Sequence, residues 1–222
     1  MVTIASRLPR LSKESRTENI IDVAVQLYVR DGYGQTSMSS IAAAVGGSKA
    51  TLYKYFPSRE ALFETAMVQC CDALFAELPT HVPSRTSILD YLNRVGQIVL
   101  EAMLKPRALD LARLVFSEGA RHPEIAQIFY SKGVEPTHAL IADGLAYFHS
   151  LGQIVSPDPF KSARYFLGML RGDVHLRAVC GLEPFPGNAS LVEHVAQAAT
   201  LFLIGMAPPT QRDLGNRSWK AR

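Results

Sequence analysis

Ser37-Met38-Ser39-Ser40-Ile41-Ala42-Ala43-Ala44-Val45-Gly46-Gly47-Ser48-Lys49-Ala50-Thr51-Leu52-Tyr53-Lys54-Tyr55-Phe56 reads as two short helices joined by a tight glycine turn. Ile41 with Ala44 or Val45 gives the first helix an apolar face. Gly46-Gly47 continues a helix only at a cost and permits positive φ. Ser48 then stands where an N-cap belongs, with a hydroxyl to take a free N–H of the next helix. Leu52 and Phe56 fall on one face and point inward together. Lys49, Thr51, Tyr53, Lys54 and Tyr55 are left outside. A short helix, a glycine turn and a second short helix with a polar, basic outer face is the pattern of a helix-turn-helix.

The same stretch carries a family resemblance. Thr36-Ser37, Ile41-Ala42, Gly46, Ser48-Lys49, Thr51-Leu52-Tyr53, Tyr55-Phe56, Ser58-Arg59-Glu60 and Leu62 stand at fixed offsets. The chain from Thr36 to Leu62 resembles the DNA-binding region of TetR-type bacterial transcriptional regulators. It departs from that pattern at Val45, Gly47 and Arg59, and at Ser40, where the family prefers an acidic residue; a serine there is expected to make a weaker capping box. The resemblance implies an all-α homodimer: an N-terminal helix-turn-helix module and a larger helical domain that binds a small effector.

The resemblance also implies roles for the second helix of the pair. Lys49, Ala50, Thr51, Tyr53 and Tyr55 are expected to face the major groove, with Lys49 reaching guanine O6 or N7 and Ala50 and Thr51 touching a thymine methyl. Tyr53, Lys54 and Arg59, with Thr36 and Ser39, are expected at phosphates, which position a protein without carrying sequence information, and Ser48 completes the expected DNA-binding set. For the tyrosines, core packing is the competing reading. Arg7, Arg10, Lys13 and Arg16 form a basic arm that either reaches phosphate or minor groove or is merely solvated.

Charge is placed in keeping with a nucleic-acid partner. The 222 residues carry a formal net charge of +3, and residues 1–60 hold eight Lys/Arg against five Asp/Glu. Residues 61–206 hold eleven against fourteen, and 207–222 four against one. The basic excess therefore sits at the two ends, one of which contains the helix pair. A hydrophobic content of 48% is ample for a core. No run reaches the roughly 18 apolar residues of a membrane span, and no signal peptide is evident, so a cytoplasmic location is expected. Cys70, Cys71 and Cys180 lack metal-ligand spacing and read as small core residues of a reducing compartment.

Around the motif the chain divides into a flexible arm (1–12), a DNA-binding domain (13–58), an effector-binding and dimerisation domain (59–206) and a flexible tail (207–222). The first helix is expected from about Lys13 to Arg30 on the spacing of Ile20, Ile21, Ala24, Leu27 and Tyr28. A long helix opens at Ser58. Further helices are expected over Ser84–Leu104, Pro106–Gly119, Pro123–Lys132, Pro136–Ser150, Pro159–Val179 and Ser190–Met206, with proline near the starts and glycine after several ends.

Gly168 and Gly172 share one helix face, and Ala196, Ala199 and Gly205 make one side of the last helix similarly small. Each glycine costs a helix about 0.5–1 kcal/mol relative to alanine, which a close helix–helix approach would offset. These residues are expected at a dimer interface, with intrachain packing as the alternative. The resemblance places an effector pocket among the middle helices. Phe116, Tyr130, Tyr147, Phe148, Phe166 and Met169 are candidate lining, with Arg113, Glu118, Asp173 and His175 as polar groups, although any one such aromatic is more often plain core.

An enzyme is not expected: G-x-S-x-G, G-x-x-x-x-G-K and H-E-x-x-H are all missing. No metal or other cofactor is expected either; His138 and His149 return to one helix face without a third ligand, and read as solvated or hydrogen-bonded. The expected partners are a double-stranded DNA operator, an apolar or aromatic effector and a second copy of the chain. The expected function is a ligand-responsive repressor. The alternative is a helical DNA-binding adaptor or activator without effector release.

Overall fold

The computed structural model describes residues 13–79, 82, 85–182 and 188–208. The expected arm, with Arg7 and Arg10, and the tail beyond residue 208 lie outside the described residues. Among the described residues every regular element is a helix: α1 (Lys13–Asp31), α2 (Met38–Val45), α3 (Lys49–Tyr55), α4 (Arg59–Glu77), α5 (Ile88–Leu104), α6 (Pro106–Glu118), α7 (Pro123–Phe129), a π-helical turn (Tyr130–Val134), α8 (Glu135–Ser150), α9 (Pro159–Cys180) and α10 (Asn188–Met206). None is long and apolar enough to cross a membrane. One compact unit lies within Met1–Gln69 and Asp110–Phe129, the other within Cys70–Leu109 and Tyr130–Arg222.

In the first unit, α1 buries Ile20, Ile21, Ala24, Leu27 and Tyr28, the residues its periodicity singles out. Ile41 of α2, Leu52 of α3 and Leu62 and Phe63 of α4 join them. The rings of Tyr28, Tyr33 and Phe63 form a triangle with centroids 5.1, 5.9 and 6.4 Å apart. Tilted and edge-on aromatic contacts of this kind add to the burial of apolar area.

In the second unit, α5 contributes Leu92, Val95, Val99 and Leu100 to the core, α8 Ile141, Leu145 and Phe148, α9 Phe166, Leu167 and Leu170, and α10 Val195, Ala199 and Phe202. Gly96 allows α5 to approach α10: a Cβ there would lie 2.8 Å from Val195 Cγ1. Gly144 leaves room on α8 for the Tyr91 ring, which any side chain at that position would strike.

Three helices differ from the expected spans. α5 begins at Ile88, where the Ser87 hydroxyl accepts from the Asp90 amide. The expected break between two helices near residue 133 is instead a π-helical turn that runs into α8. Pro136 has no N–H to return to the helix, so the backbone absorbs the mismatch by widening. The Thr137 hydroxyl donates to the Gly133 carbonyl at 2.8 Å within the same turn. Within α9, Gly172 has φ 40° and ψ −144°, which interrupts the helix at the second glycine of the expected pair. Cys71 is buried as expected, but Cys180 is exposed, because it ends α9 on its outer side.

Candidate DNA-binding face

The turn is built by its caps. The Ser37 hydroxyl accepts from the Ser40 amide at 3.0 Å, and the Ser40 hydroxyl accepts from the Ser37 amide at 2.9 Å. The capping box of α2 is therefore closed in both directions, and serine suffices where the family prefers a carboxylate. Gly46 ends α2 at φ 75°, a left-handed conformation that glycine adopts without strain. Its amide donates to the Ala43 carbonyl and that of Gly47 to the Ala42 carbonyl, which satisfies the last acceptors of the helix. Ser48 caps α3 by accepting from the Thr51 amide at 3.0 Å.

Leu52 and Phe56 are buried at 3% and 4% exposure. That fixes the opposite face of α3 toward solvent: Lys49, Ala50, Tyr53 and Lys54 are exposed, and Thr51 and Tyr55 half-buried. Lys49 Nζ lies 5.8 Å from the centre of the Tyr53 ring. Ser39 is exposed on α2. An open groove of about 380 Å³ brings Thr36, Ser39, Lys49, Tyr53 and Arg59 to one surface. Arg16 is exposed on α1, beside a hollow that it lines with Gly46, Gly47 and Ser48.

Two side chains expected at phosphates are occupied inside the fold. Thr36 is 2% exposed, and its hydroxyl lies 2.9 Å from the Gly32 carbonyl and 3.3 Å from that of Leu27. Arg59 Nη1 donates to the carbonyl of Tyr33 at 2.8 Å and approaches those of Thr36 at 3.3 Å and Gly34 at 3.4 Å. The guanidinium also stacks 4.3 Å from the Tyr33 ring. Both residues hold the α1–α2 connection, because that irregular turn has carbonyls that no helix satisfies. The Thr51 hydroxyl is shared with that of Ser48 at 2.8 Å.

The same connection involves residues not singled out in the sequence. Gly32 turns the chain at φ 87°, and Gly34 lies where a Cβ would meet His122 Nε2. Glu118 Oε2 accepts from the Gly34 amide at 3.4 Å and faces His122 at 3.6 Å. Gly32-Tyr33-Gly34 was the available signal, since two glycines around an aromatic mark a turn with a buried ring. Its partners, Glu118 at the end of α6 and His122 just beyond, are more than eighty residues away and have no local signature.

The remaining candidates are dispersed. Arg113 and Phe116 belong to the first unit, where Arg113 pairs with Asp110 at 2.9 Å and Phe116 is 62% exposed. In the second unit, Phe148 and Phe166 are fully buried packing residues, against Tyr91 and Phe202. Asp173 lies at the surface in an ion pair with Arg177, and Tyr130 and Met169 are largely exposed. Tyr147 lines a cavity of about 300 Å³ with Pro79, Val82, Tyr91, Leu140, Asp143 and Gly144. Burial, and next the Asp143 carboxylate, pushes the Tyr91 phenol up to about 12. His175 is buried.

Of the small residues, Gly168 and Gly172 are exposed and Ala196 is half-buried. Ala199 is fully buried, because it faces the protein's own core from α10. His138 is buried rather than solvated, whereas His149 is hydrogen-bonded, its Nδ1 lying 3.1 Å from the Ile154 carbonyl.

A capped helix-turn-helix with a polar, basic outer face, in an otherwise helical chain, defines a class: the helix-turn-helix regulators of transcription. The model of the bacterial regulatory proteins of the tetR family matches residues 20–66, and that of the AefR-like transcriptional repressor C-terminal domain matches residues 90–205, more than half of the chain. The chain belongs to the TetR family of transcriptional regulators, which are DNA-binding proteins and not enzymes.

The flavonoid-responsive regulator FrrA has a similar structure, with a TM-score of 0.74 and 31% identity, covering 88% of this chain and 98% of that one. The nucleoid occlusion factor SlmA of Pasteurella multocida is 29% identical over 54% of this chain and 62% of its own length. The DNA-binding transcriptional repressor TetR of Mycobacteroides abscessus is 37% identical over 57% of this chain and 66% of its own length. The chain thus spans less than two thirds of the length of these two curated relatives.

Proposed function

We propose that this regulator is a repressor that binds a palindromic operator as a homodimer and leaves it when a small effector binds. The observation that carries the reading is the outer face of α3, where Lys49, Tyr53 and Lys54 stand exposed on a rigidly capped turn. Lys49, Ala50, Thr51 (through its methyl), Tyr53 and Tyr55 read bases; Ser39 and Lys54, with Tyr53, hold phosphates. The module spans residues 13–58. One such helix reads only a few base pairs, so two copies are needed, about 34–36 Å apart.

A dimer is supported by large apolar side chains left open on α9 and α10: Tyr165, Met169, Leu176, Val192, Leu201 and Ile204 are 37–70% exposed. Large apolar side chains left exposed on two packed helices are surface that a partner would cover. Gly168 adds a point where a Cβ would meet nothing within 4 Å among the described residues. The effector reading is supported by the cavity at Tyr91, Leu140, Asp143 and Tyr147, whose rings and single carboxylate suit an apolar or aromatic molecule. FrrA's description as flavonoid-responsive supports an aromatic effector. Effector binding shifts the dimer between two states only by its differential affinity for them.

The experiment is footprinting of the dimer on DNA flanking its own gene, with and without effector. A protected palindrome that is released by ligand is expected, and the absence of any protected site at moderate salt would refute the reading. The likeness to SlmA favours a second reading, DNA binding without effector release. It predicts a protected site that no ligand releases.

A further inference from the structure

We infer that the buried corner between α8 and α9 where His138, Arg171 and His175 meet is a binding site for a small molecule bearing one carboxylate group. α8 and α9 pack closely along their lengths. His138 is 5% exposed, and its Nδ1 is buried without a hydrogen-bond partner. His175 is 9% exposed. Arg171 is half-buried, and its Nε is likewise buried without a partner. Among the described residues no carboxylate pairs with Arg171.

Buried polar atoms are almost always satisfied, and a cation removed from water without a counter-charge is costly. Two such atoms, His138 Nδ1 and Arg171 Nε, therefore await a partner, with the buried His175 beside them. Burial, and next Arg171, pulls both His138 and His175 below the usual histidine range; Arg164 adds to this at His138. Neutral imidazoles each offer one N–H donor. Burial, only partly offset by the Tyr130 phenol, lowers Arg171 as well, but an arginine stays charged at neutral pH.

The charge count selects the ligand. One guanidinium and two neutral imidazole donors match a monoanion that takes a forked pair of hydrogen bonds, which is a carboxylate. A phosphate dianion would need a second cation. A divalent metal is disfavoured by the adjacent guanidinium, and no group of three ligating side chains occurs among the described residues. Tyr130, which acts on Arg171, and Arg164, which acts on His138, are both exposed. Two backbone irregularities adjoin the site, the π-helical turn that carries Tyr130 and the left-handed Gly172 after Arg171. Irregularities of this type cluster at functional sites.

The inference does not depend on operator binding or effector release. It is tested on the full chain, without DNA, by calorimetric titration with benzoate and hexanoate against their neutral counterparts benzamide and hexanamide. At least one acid should bind at least tenfold more tightly than its amide. Arg171→Met should remove that preference, and Arg171→Lys should keep part of it. Arg171→Met should also melt no lower than the parent when unliganded, since it removes an uncompensated cation. If Arg171→Met fails to fold, His138→Phe gives the same titration test. Amides binding as tightly as acids, no binding of either acid, acids binding equally to both variants, or a lower melting point of Arg171→Met would each overturn the site. Failure to find an operator would sink the repressor reading and leave these titrations as they are.

Discussion

Arg59 and Lys49 are both cations near one groove, yet their surroundings assign them different work. Arg59 is held by turn carbonyls and the Tyr33 ring, whereas Lys49 extends over Tyr53 into solvent. Arg59→Ala is expected to lower unfolding free energy by about 1–3 kcal/mol, the cost of stranding buried acceptors, as read by urea denaturation. Lys49→Ala should leave that stability unchanged. It should reduce operator discrimination by about 1–3 kcal/mol in competition binding, while Lys54→Ala weakens all DNA alike and lowers the salt slope by about one. Equal effects of the two lysines on specific and non-specific DNA would refute the division of roles.

At the scale of the element, the caps and breaks of helices carry the prediction. Gly46→Ala places a side chain at φ 75°, so it should destabilise the protein by about 1–2 kcal/mol. Gly168 lies within regular helix with open space around it, so Gly168→Ala should stabilise the isolated protomer by about 0.5–1 kcal/mol. If Gly168 lies at the dimer interface, the same change should raise the dimer dissociation constant, measured by analytical ultracentrifugation. Ser48→Ala should cost about 1 kcal/mol through the lost N-cap of α3.

At the scale of the whole molecule, association and pH dependence are the readouts. Leu201→Asp and Ile204→Asp alter side chains that are 60% and 70% exposed, so the circular dichroism spectrum should be preserved while sedimentation shifts to the protomer. A dimer that persists would place the interface elsewhere. His138 and His175 are held below the ordinary histidine value of about 6.5 by burial, with Arg171, and Arg164 at His138, as the facing charges. The unfolded chain therefore binds more protons than the folded one just below that value. Their contribution is complete above pH about 6.5 and is lost as pH falls further. His138→Phe with His175→Phe should flatten this loss in melting temperature between pH 7 and 5.

The glycine turn, its serine caps and the inward Leu52 and Phe56 were legible in the amino-acid order, because caps and helix faces depend on neighbours within four residues. So were the helical class and the core stripe of α1. What local order does not encode is which donors meet which acceptors across the chain. Only the tertiary structure decided that Thr36 and Arg59 serve the turn, that Ala199 faces its own core and that α9 breaks at Gly172. It alone brought His138, Arg171 and His175 to one buried corner, since burial and electrostatic coupling depend on helices that pack together from distant parts of the chain.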